Sequence, residues 1–67
     1  MKDVIIWQLV GARWEIERTY CLNYARFVLS EISGLTNIKE GQIIVSNSGR
    51  KFAYFADGID PNKQNKI

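Results

Sequence analysis

Two glutamates with strand spacing are the first residues of this chain that could do chemistry. Glu15 and Glu17 alternate with Trp14 and Ile16, so on a strand the two carboxylates share one face. Paired carboxylates perform acid–base catalysis only when burial or a neighbouring charge separates their pKa values. Nothing in the sequence predicts that these two are buried, which favours a solvated strand face over a catalytic pair.

Cysteine, histidine and serine chemistry is limited in the same way. Cys21 is the single cysteine and the chain has no histidine, so a cysteine nucleophile lacks its usual base, and neither an internal disulfide nor a CxxC metal site can form. Ser46, Ser48 and Gly49 are typical of a hairpin turn, because they lack the spacing of a phosphate-binding loop and no helix follows. The sequence therefore predicts a protein that is not an enzyme and holds no metal or cofactor.

The basic residues indicate binding to a partner. Nine basic and seven acidic residues give a net charge of +2, which is too small to indicate a nucleic-acid-binding face by itself. Arginine and aromatic side chains dominate binding hot spots, and Tyr24 and Phe55 are further candidate anchors. The predicted partner-binding residues are Arg13, Arg26, Phe27, Arg50 and Lys51. Isolated surface charges that serve solubility are the alternative explanation for the basic members.

A hairpin must position the first of these residues. Residues 4–10 and 13–20 alternate around Gly11-Ala12, and a glycine at the first turn position is typical of a type II′ turn. The expected pairs are Leu9 with Trp14, Trp7 with Ile16 and Ile5 with Arg18. One face then carries Ile5, Trp7, Leu9, Trp14, Ile16 and Tyr20. The opposite face also holds apolar residues, namely Val4, Ile6 and Val10, which are either covered by another element or form an interface.

A helix and a second hairpin follow. Asn23 is a suitable N-cap, an apolar stripe of helical period runs from Ala25 to Ile32, and Gly34 ends the segment, which predicts a helix over residues 24–33. Residues 42–46 and 51–56 then form strands around Asn47-Ser48-Gly49. A two- or four-residue loop pairs Val45 with Phe52 and Ile43 with Tyr54, and a three-residue loop with a bulge shifts that register.

The elements together predict an α+β fold of order β-β-α-β-β, with one helix packed on an antiparallel sheet of two hairpins. Residues 1–59 form the single domain and residues 60–67 a polar, flexible tail. The single cysteine, the lack of a signal peptide and the lack of a membrane-spanning apolar run predict a cytoplasmic protein. Because a chain of 67 residues builds only a small core, a homodimer is an alternative to a monomer.

Five short features carry a resemblance that spans residues 2 to 58. They are an apolar first strand beginning Met1-Lys2, the helical pair Ala25-Arg26, the strand at residues 41–45, the run Phe52-Ala53-Tyr54 and the closing Asp57-Gly58. Their order resembles small phage-encoded proteins, in particular an anti-CRISPR family that blocks type I-F surveillance complexes. In that family a basic pair on the helix contributes to the contact. Arg26 matches its first member, Phe27 stands at the second, and the family's tryptophan-bearing end is missing here.

The resemblance implies a protein inhibitor that docks on the crRNA-bound Cas backbone subunits, acts in the host cytoplasm and obstructs hybridisation of target DNA. Two other functions remain open on the residues alone. One is a small nucleic-acid-binding protein that uses the hairpin tips and the helix, for which binding falls steeply with salt. The other is a structural or assembly protein that self-associates through Val4, Ile6 and Val10.

Overall fold

A computed structural model of the protein describes residues 3–63 and has the predicted element order. The elements are β1 (Asp3–Val10), β2 (Arg13–Cys21), α1 (Leu22–Ser33), β3 (Ile44–Val45), β4 (Lys51–Ala56) and a 3-10 helix (Pro61–Lys63). The four strands form one antiparallel sheet of order β2-β1-β4-β3. The predicted α+β class, with one helix and two hairpins, is therefore confirmed.

The first hairpin has the predicted register near its turn and a different one beyond it. Leu9 pairs with Trp14 and Trp7 with Ile16, as expected, but the register shifts between Ile6 and Trp7. Because Ile6 pairs with Arg18, Glu17 is an extra residue in β2, which is the arrangement of a β-bulge. The prediction that Ile5 pairs with Arg18 is wrong, since the partner of Ile5 is Thr19.

The bulge also changes the face on which Tyr20 lies. Tyr20 pairs with Val4 and packs on the same side of the sheet as α1, so its predicted place beside Trp7 is wrong. The physical reason is the period of a strand: one inserted residue moves every later side chain to the opposite face.

The helix begins two residues earlier than the sequence suggests and ends where expected. Cys21 is the N-cap residue, with extended backbone and no side-chain capping bond, so Asn23 is not the cap. The reason is that β2 continues into α1 without a loop, which leaves Asn23 inside the first turn. At the other end Gly34 adopts a left-handed conformation with φ of 77°, and its N–H donates a 2.7 Å hydrogen bond to the carbonyl of Ser30.

The second hairpin takes the register of the three-residue loop. Ile44 pairs with Phe52 and Val45 with Lys51, so the pairs Val45–Phe52 and Ile43–Tyr54 are wrong. The N–H of Ser46 donates to the carbonyl of Arg50, which closes the loop around Asn47-Ser48-Gly49. Gly49 has a φ of 89°, the left-handed residue that this loop length requires. As a result Ile44 is buried, while Ile43 and Val45 are exposed.

The core is divided between the two faces of the sheet. Between the sheet and α1 lies a cluster of buried residues: Val4, Ile6, Ala25, Leu29, Ile38, Ile44 and Tyr54. On the opposite face Trp7, Ala53 and Phe55 form a second cluster, with Ile5, Trp14 and Ile59 packed around it. The helix thus covers Val4 and Ile6, which removes both from any self-association face, whereas Val10 is 46% exposed.

The segment predicted as a tail begins with packed structure. Pro61–Lys63 form the 3-10 helix, Pro61 is buried, and Asn62 bonds to the backbone of Trp14. Residues 64–67, like residues 1 and 2, lie outside the described residues, so flexibility there stays a prediction. Within the described part of the chain, no helix has both the length and the apolar character needed to cross a membrane.

Candidate protein interface

Three aromatic rings form a continuous ladder along the β2 side of α1, of which the first is half-buried and the other two are exposed. The ring centroids of Tyr20 and Tyr24 are 5.2 Å apart, and those of Tyr24 and Phe27 are 6.1 Å apart with planes inclined at 29° in a stacked arrangement. Tyr24 and Phe27 stack because residues three apart are neighbours on a helix surface. Tyr20 joins them because the bulge directs it toward the helix. We call Tyr20, Tyr24 and Phe27 the aromatic ladder.

The two rings of the ladder that lie on α1 are unusually open to solvent. Tyr24 is 52% exposed and Phe27 is 55% exposed, although Ala25 and Leu29 of the same helix are fully buried. Single exposed apolar residues are common, but adjoining exposed aromatic rings mark surfaces that bind another molecule. Tyrosine is also among the residues that contribute most to protein interfaces.

An apolar groove borders the ladder. It has a volume of about 180 Å³, opens between α1 and β2, and is lined by Tyr20 together with Val28, Ile32 and Phe52. Tyr20 therefore belongs to both the ladder and the groove, which makes them one surface. A surface of stacked rings beside a small apolar groove can accept an apolar side chain of a partner, the arrangement that hot spots favour.

Carboxylates flank this surface. Glu17, the bulge residue, lines the groove, and Glu31 is exposed one helical turn beyond Phe27. Arg26 is also exposed, but it lies about 100° around the helix from Phe27, on the side away from Tyr24. Arg18 is exposed on the same side of β2, two residues before Tyr20, so charges of both signs border the ladder.

The structure divides the five predicted partner-binding residues between two places. Val10 pairs with Arg13 and Leu9 with Lys51, so Arg13 and Lys51 lie at the end of the sheet where both hairpins turn, and Arg50 belongs to the second turn. Arg26 and Phe27 lie in the first half of α1, which begins at the opposite end of the sheet. All five side chains are exposed.

Two members of the ladder were outside the predicted set. The sequence predicts Tyr24 only as a candidate anchor. Its spacing of three from Phe27 is the signal that places the two side chains next to each other on the helix surface. Tyr20 could not be found from the sequence because its face depends on the bulge. Phe55, the other candidate anchor, is 8% exposed and meets Trp14 edge-on at 5.7 Å in the second cluster, so it is mainly a core residue.

The residues first considered for catalysis occupy ordinary surroundings. Glu15 and Glu17 are exposed. The hydroxyls of Ser46 and Ser48 bond to each other at 2.9 Å, and the Ser46 hydroxyl accepts from the N–H of Arg50, so both stabilise the hairpin turn. Over residues 3–63, no group of three or more His, Cys, Asp or Glu side chains could hold a metal ion.

A second cleft lies on the sheet face opposite α1. It has a volume of about 510 Å³ and is lined by Leu9, Trp14, Ile43, Phe55 and Pro61, with three small residues at its rim. Beneath this face the indole Nε1 of Trp7 is buried without a hydrogen-bond partner among residues 3–63. The lining of this cleft mixes polar and apolar surface, and the stacked exposed rings of the ladder are missing from it.

Comparison of the chain with protein-family models, with curated proteins and with solved structures finds no match in any of the three.

Proposed function

We propose that this protein is a non-enzymatic binding module that docks on a protein partner through the aromatic ladder and the adjoining groove. The observation that carries the proposal is the stacking of Tyr24 on Phe27 while each ring is more than half exposed. The stack holds both rings in place before binding, so little side-chain entropy of these two residues is lost when a partner binds.

The two exposed rings supply a substantial share of the energy that a protein interface needs. An aromatic side chain presents 150–250 Å² in total, so covering the exposed half of one ring contributes about 2–3 kcal/mol at ~25 cal/mol per Å². Tyr24 and Phe27 together then supply several kcal/mol, and an apolar side chain in the groove adds to it.

At a finer level, we propose that the partner is a bacterial defence complex and that the protein is a phage or mobile-element inhibitor of it, acting in the host cytoplasm. The support is the resemblance over residues 2 to 58, with Ala25-Arg26 on the helix and Phe52-Ala53-Tyr54 on β4. In this proposal Cas backbone subunits are the partner, and Arg26 lies at the margin of the contact.

The test is affinity capture from bacterial lysate that carries a CRISPR system. The wild-type chain is compared with Tyr24→Ser/Phe27→Ser and with the matched control Ile43→Ser/Val45→Ser, whose residues are 49% and 52% exposed on a different surface. Stoichiometric recovery of Cas subunits by wild type and control, but not by the ladder variant, supports both levels of the proposal. Recovery of a different protein with the same pattern supports the docking surface and contradicts the defence-complex partner. Equal recovery by all three chains contradicts the ladder.

A nucleic-acid-binding function is the alternative that the ladder itself favours, because stacked exposed rings also bind unpaired bases. It predicts that a fluorescent single-stranded oligonucleotide binds, that affinity falls steeply as salt rises, and that Glu31→Gln strengthens binding by removing a repelled charge. Binding that does not change with salt, or with Glu31→Gln, contradicts this alternative.

A further inference from the structure

The outer edge of β2 is the longest open edge of the sheet. β2 has nine residues and is an end strand, whereas β3, at the other end, has two. In an antiparallel pair alternate residues direct their backbone groups toward and away from the neighbour. The bonds made to Trp14 from outside the sheet show that its N–H and carbonyl face outward, and the same alternation directs those of Ile16 outward. Such an edge is a template for another strand.

Asn62 occupies this edge as a strand would. The N–H of Trp14 donates to the Asn62 side-chain oxygen at 2.8 Å, and the Asn62 side-chain nitrogen donates to the carbonyl of Trp14 at 3.0 Å. A carboxamide carries the same donor and acceptor as a peptide group. The segment is held in place, since Asp60 accepts from the N–H of Asn62, Pro61 is buried and Ile59 packs on the second cluster.

We infer that residues 59–63 form a latch on the edge of β2, and that opening the latch exposes a surface that pairs with β2 of a second copy of this chain. We call the segment of residues 59–63 the edge latch. In the closed state the edge latch forms hydrogen bonds with the outward-facing N–H and carbonyl of Trp14. The bulge at Glu17 disrupts regular strand pairing beyond Ile16. Both are recognised ways to protect an edge strand.

The second copy is the chosen occupant because the edge is complementary to itself. An antiparallel pair of β2 strands with its twofold axis at Glu15 sets Trp14 opposite Ile16 of the second copy, two apolar residues on one face. On the other face Arg13 of each copy lies near Glu17 of the other, where the bulge ends the regular pairing, so a cation approaches an anion. Glu15 meets its own counterpart, and this like-charge pair is the one unfavourable contact of the register.

The test compares Asn62→Ala with the wild-type chain and with Asn47→Ala, a matched control in the second hairpin turn. Sedimentation velocity over a concentration series is the measurement. The wild type and the control are expected to stay monomeric at concentrations where Asn62→Ala forms a dimer. A monomeric Asn62→Ala that keeps the wild-type far-ultraviolet circular dichroism spectrum contradicts the inference, as does a wild type that dimerises equally.

Further substitutions test whether the dimer forms through the edge of β2, and one of them replaces Asn62→Ala if that variant does not fold. In the Asn62→Ala background, Ile16→Lys is expected to restore the monomer, because a lysine on an edge strand opposes pairing. Glu15→Gln is expected to tighten the dimer roughly two- to fivefold by removing the like-charge contact. A dimer that neither change affects uses another surface and contradicts the inference. If Asn62→Ala does not fold, Asn62→Asp replaces the donor with a charged oxygen that faces the Trp14 carbonyl, and the repulsion opens the latch. A folded monomeric Asn62→Asp then contradicts the inference, and a dimer supports it.

Discussion

The hydroxyl of Tyr54 donates a 3.1 Å hydrogen bond to the carbonyl of Ile38, sixteen residues earlier in the chain, and both residues are buried. The bond fixes the connection between α1 and β3 against the core, where Ile38 is one of the largest fully buried side chains. The same connection is held along β4 by the N–H of Gly41, which donates to the carbonyl of Tyr54, and by Glu40, which accepts from the N–H of Ala56.

Tyr54→Phe should therefore lower the free energy of unfolding by about 1–3 kcal/mol, because it leaves the buried carbonyl of Ile38 without its donor. Chemical denaturation followed by fluorescence measures the loss. Tyr24→Phe is the matched control: that ring is 52% exposed, and the change is expected to stay within about 0.5 kcal/mol. Equal losses in the two variants would show that the Tyr54 bond does not hold the connection.

Gly34→Ala should destabilise the protein through the backbone alone. Gly34 has a φ of 77°, and nothing lies within 4 Å of the position that a Cβ would take. An alanine in this left-handed conformation costs about 1–2 kcal/mol, and for a domain of this size each kcal/mol lowers the Tm by roughly 4–8 °C. Gly34→Asn, which tolerates this conformation better, should lose less; thermal unfolding that ranks asparagine below alanine contradicts the explanation.

Trp7→Phe should change stability by no more than about 1 kcal/mol, although Trp7 is a core residue with 7% exposure. The change removes an indole N–H that is buried without a partner among the described residues, and relief of such a group is worth about 1–3 kcal/mol. This gain offsets a packing loss of similar size. Trp7→Ala, which empties the site, should cost about 3–5 kcal/mol. Denaturation curves in which Trp7→Phe loses as much as Trp7→Ala would show that the N–H has a partner.

Features set by neighbouring residues could be predicted from the sequence. Gly11-Ala12 determines the turn of the first hairpin, and with it the pairing of Leu9 with Trp14. Gly34 ends the helix because glycine adopts the left-handed conformation of a helix C-terminus without a steric cost. These features depend on conformational preferences within a few residues, which tertiary packing does not reverse here.

Features set by packing could not be predicted. β1 is apolar on both faces, so the sequence does not say which face the helix covers, and α1 packs on Val4 and Ile6 rather than on Trp7. No turn residue in the sequence marks the bulge at Glu17. This bulge determines the face of the sheet on which Tyr20 lies. The candidate interface depends on both, which is why the sequence identified Phe27 but not the ladder.

Charge substitutions distinguish the aromatic ladder from the basic residues that the sequence predicted. The ladder is bordered by Glu31, whereas Arg13, Arg50 and Lys51 lie at the hairpin-tip end of the sheet. A partner that is complementary to the ladder presents a basic group to Glu31, so we expect Glu31→Lys to slow association and to weaken binding about fivefold, the effect of ~1 kcal/mol at the rim of an interface.

The variant to compare with Glu31→Lys replaces all three hairpin-tip cations, Arg13, Arg50 and Lys51, with glutamate. It changes the net charge far more than Glu31→Lys does, yet it should weaken binding less if the partner binds at the ladder. Arg13 and Lys51 lie at the end of the sheet opposite the start of α1, and only Arg50 lines a pocket with Glu31. Surface plasmon resonance at two salt concentrations measures both rates. If the triple reversal abolishes binding and Glu31→Lys does not affect it, the partner binds the hairpin tips. A steep loss of affinity with salt would then indicate that this partner is a nucleic acid.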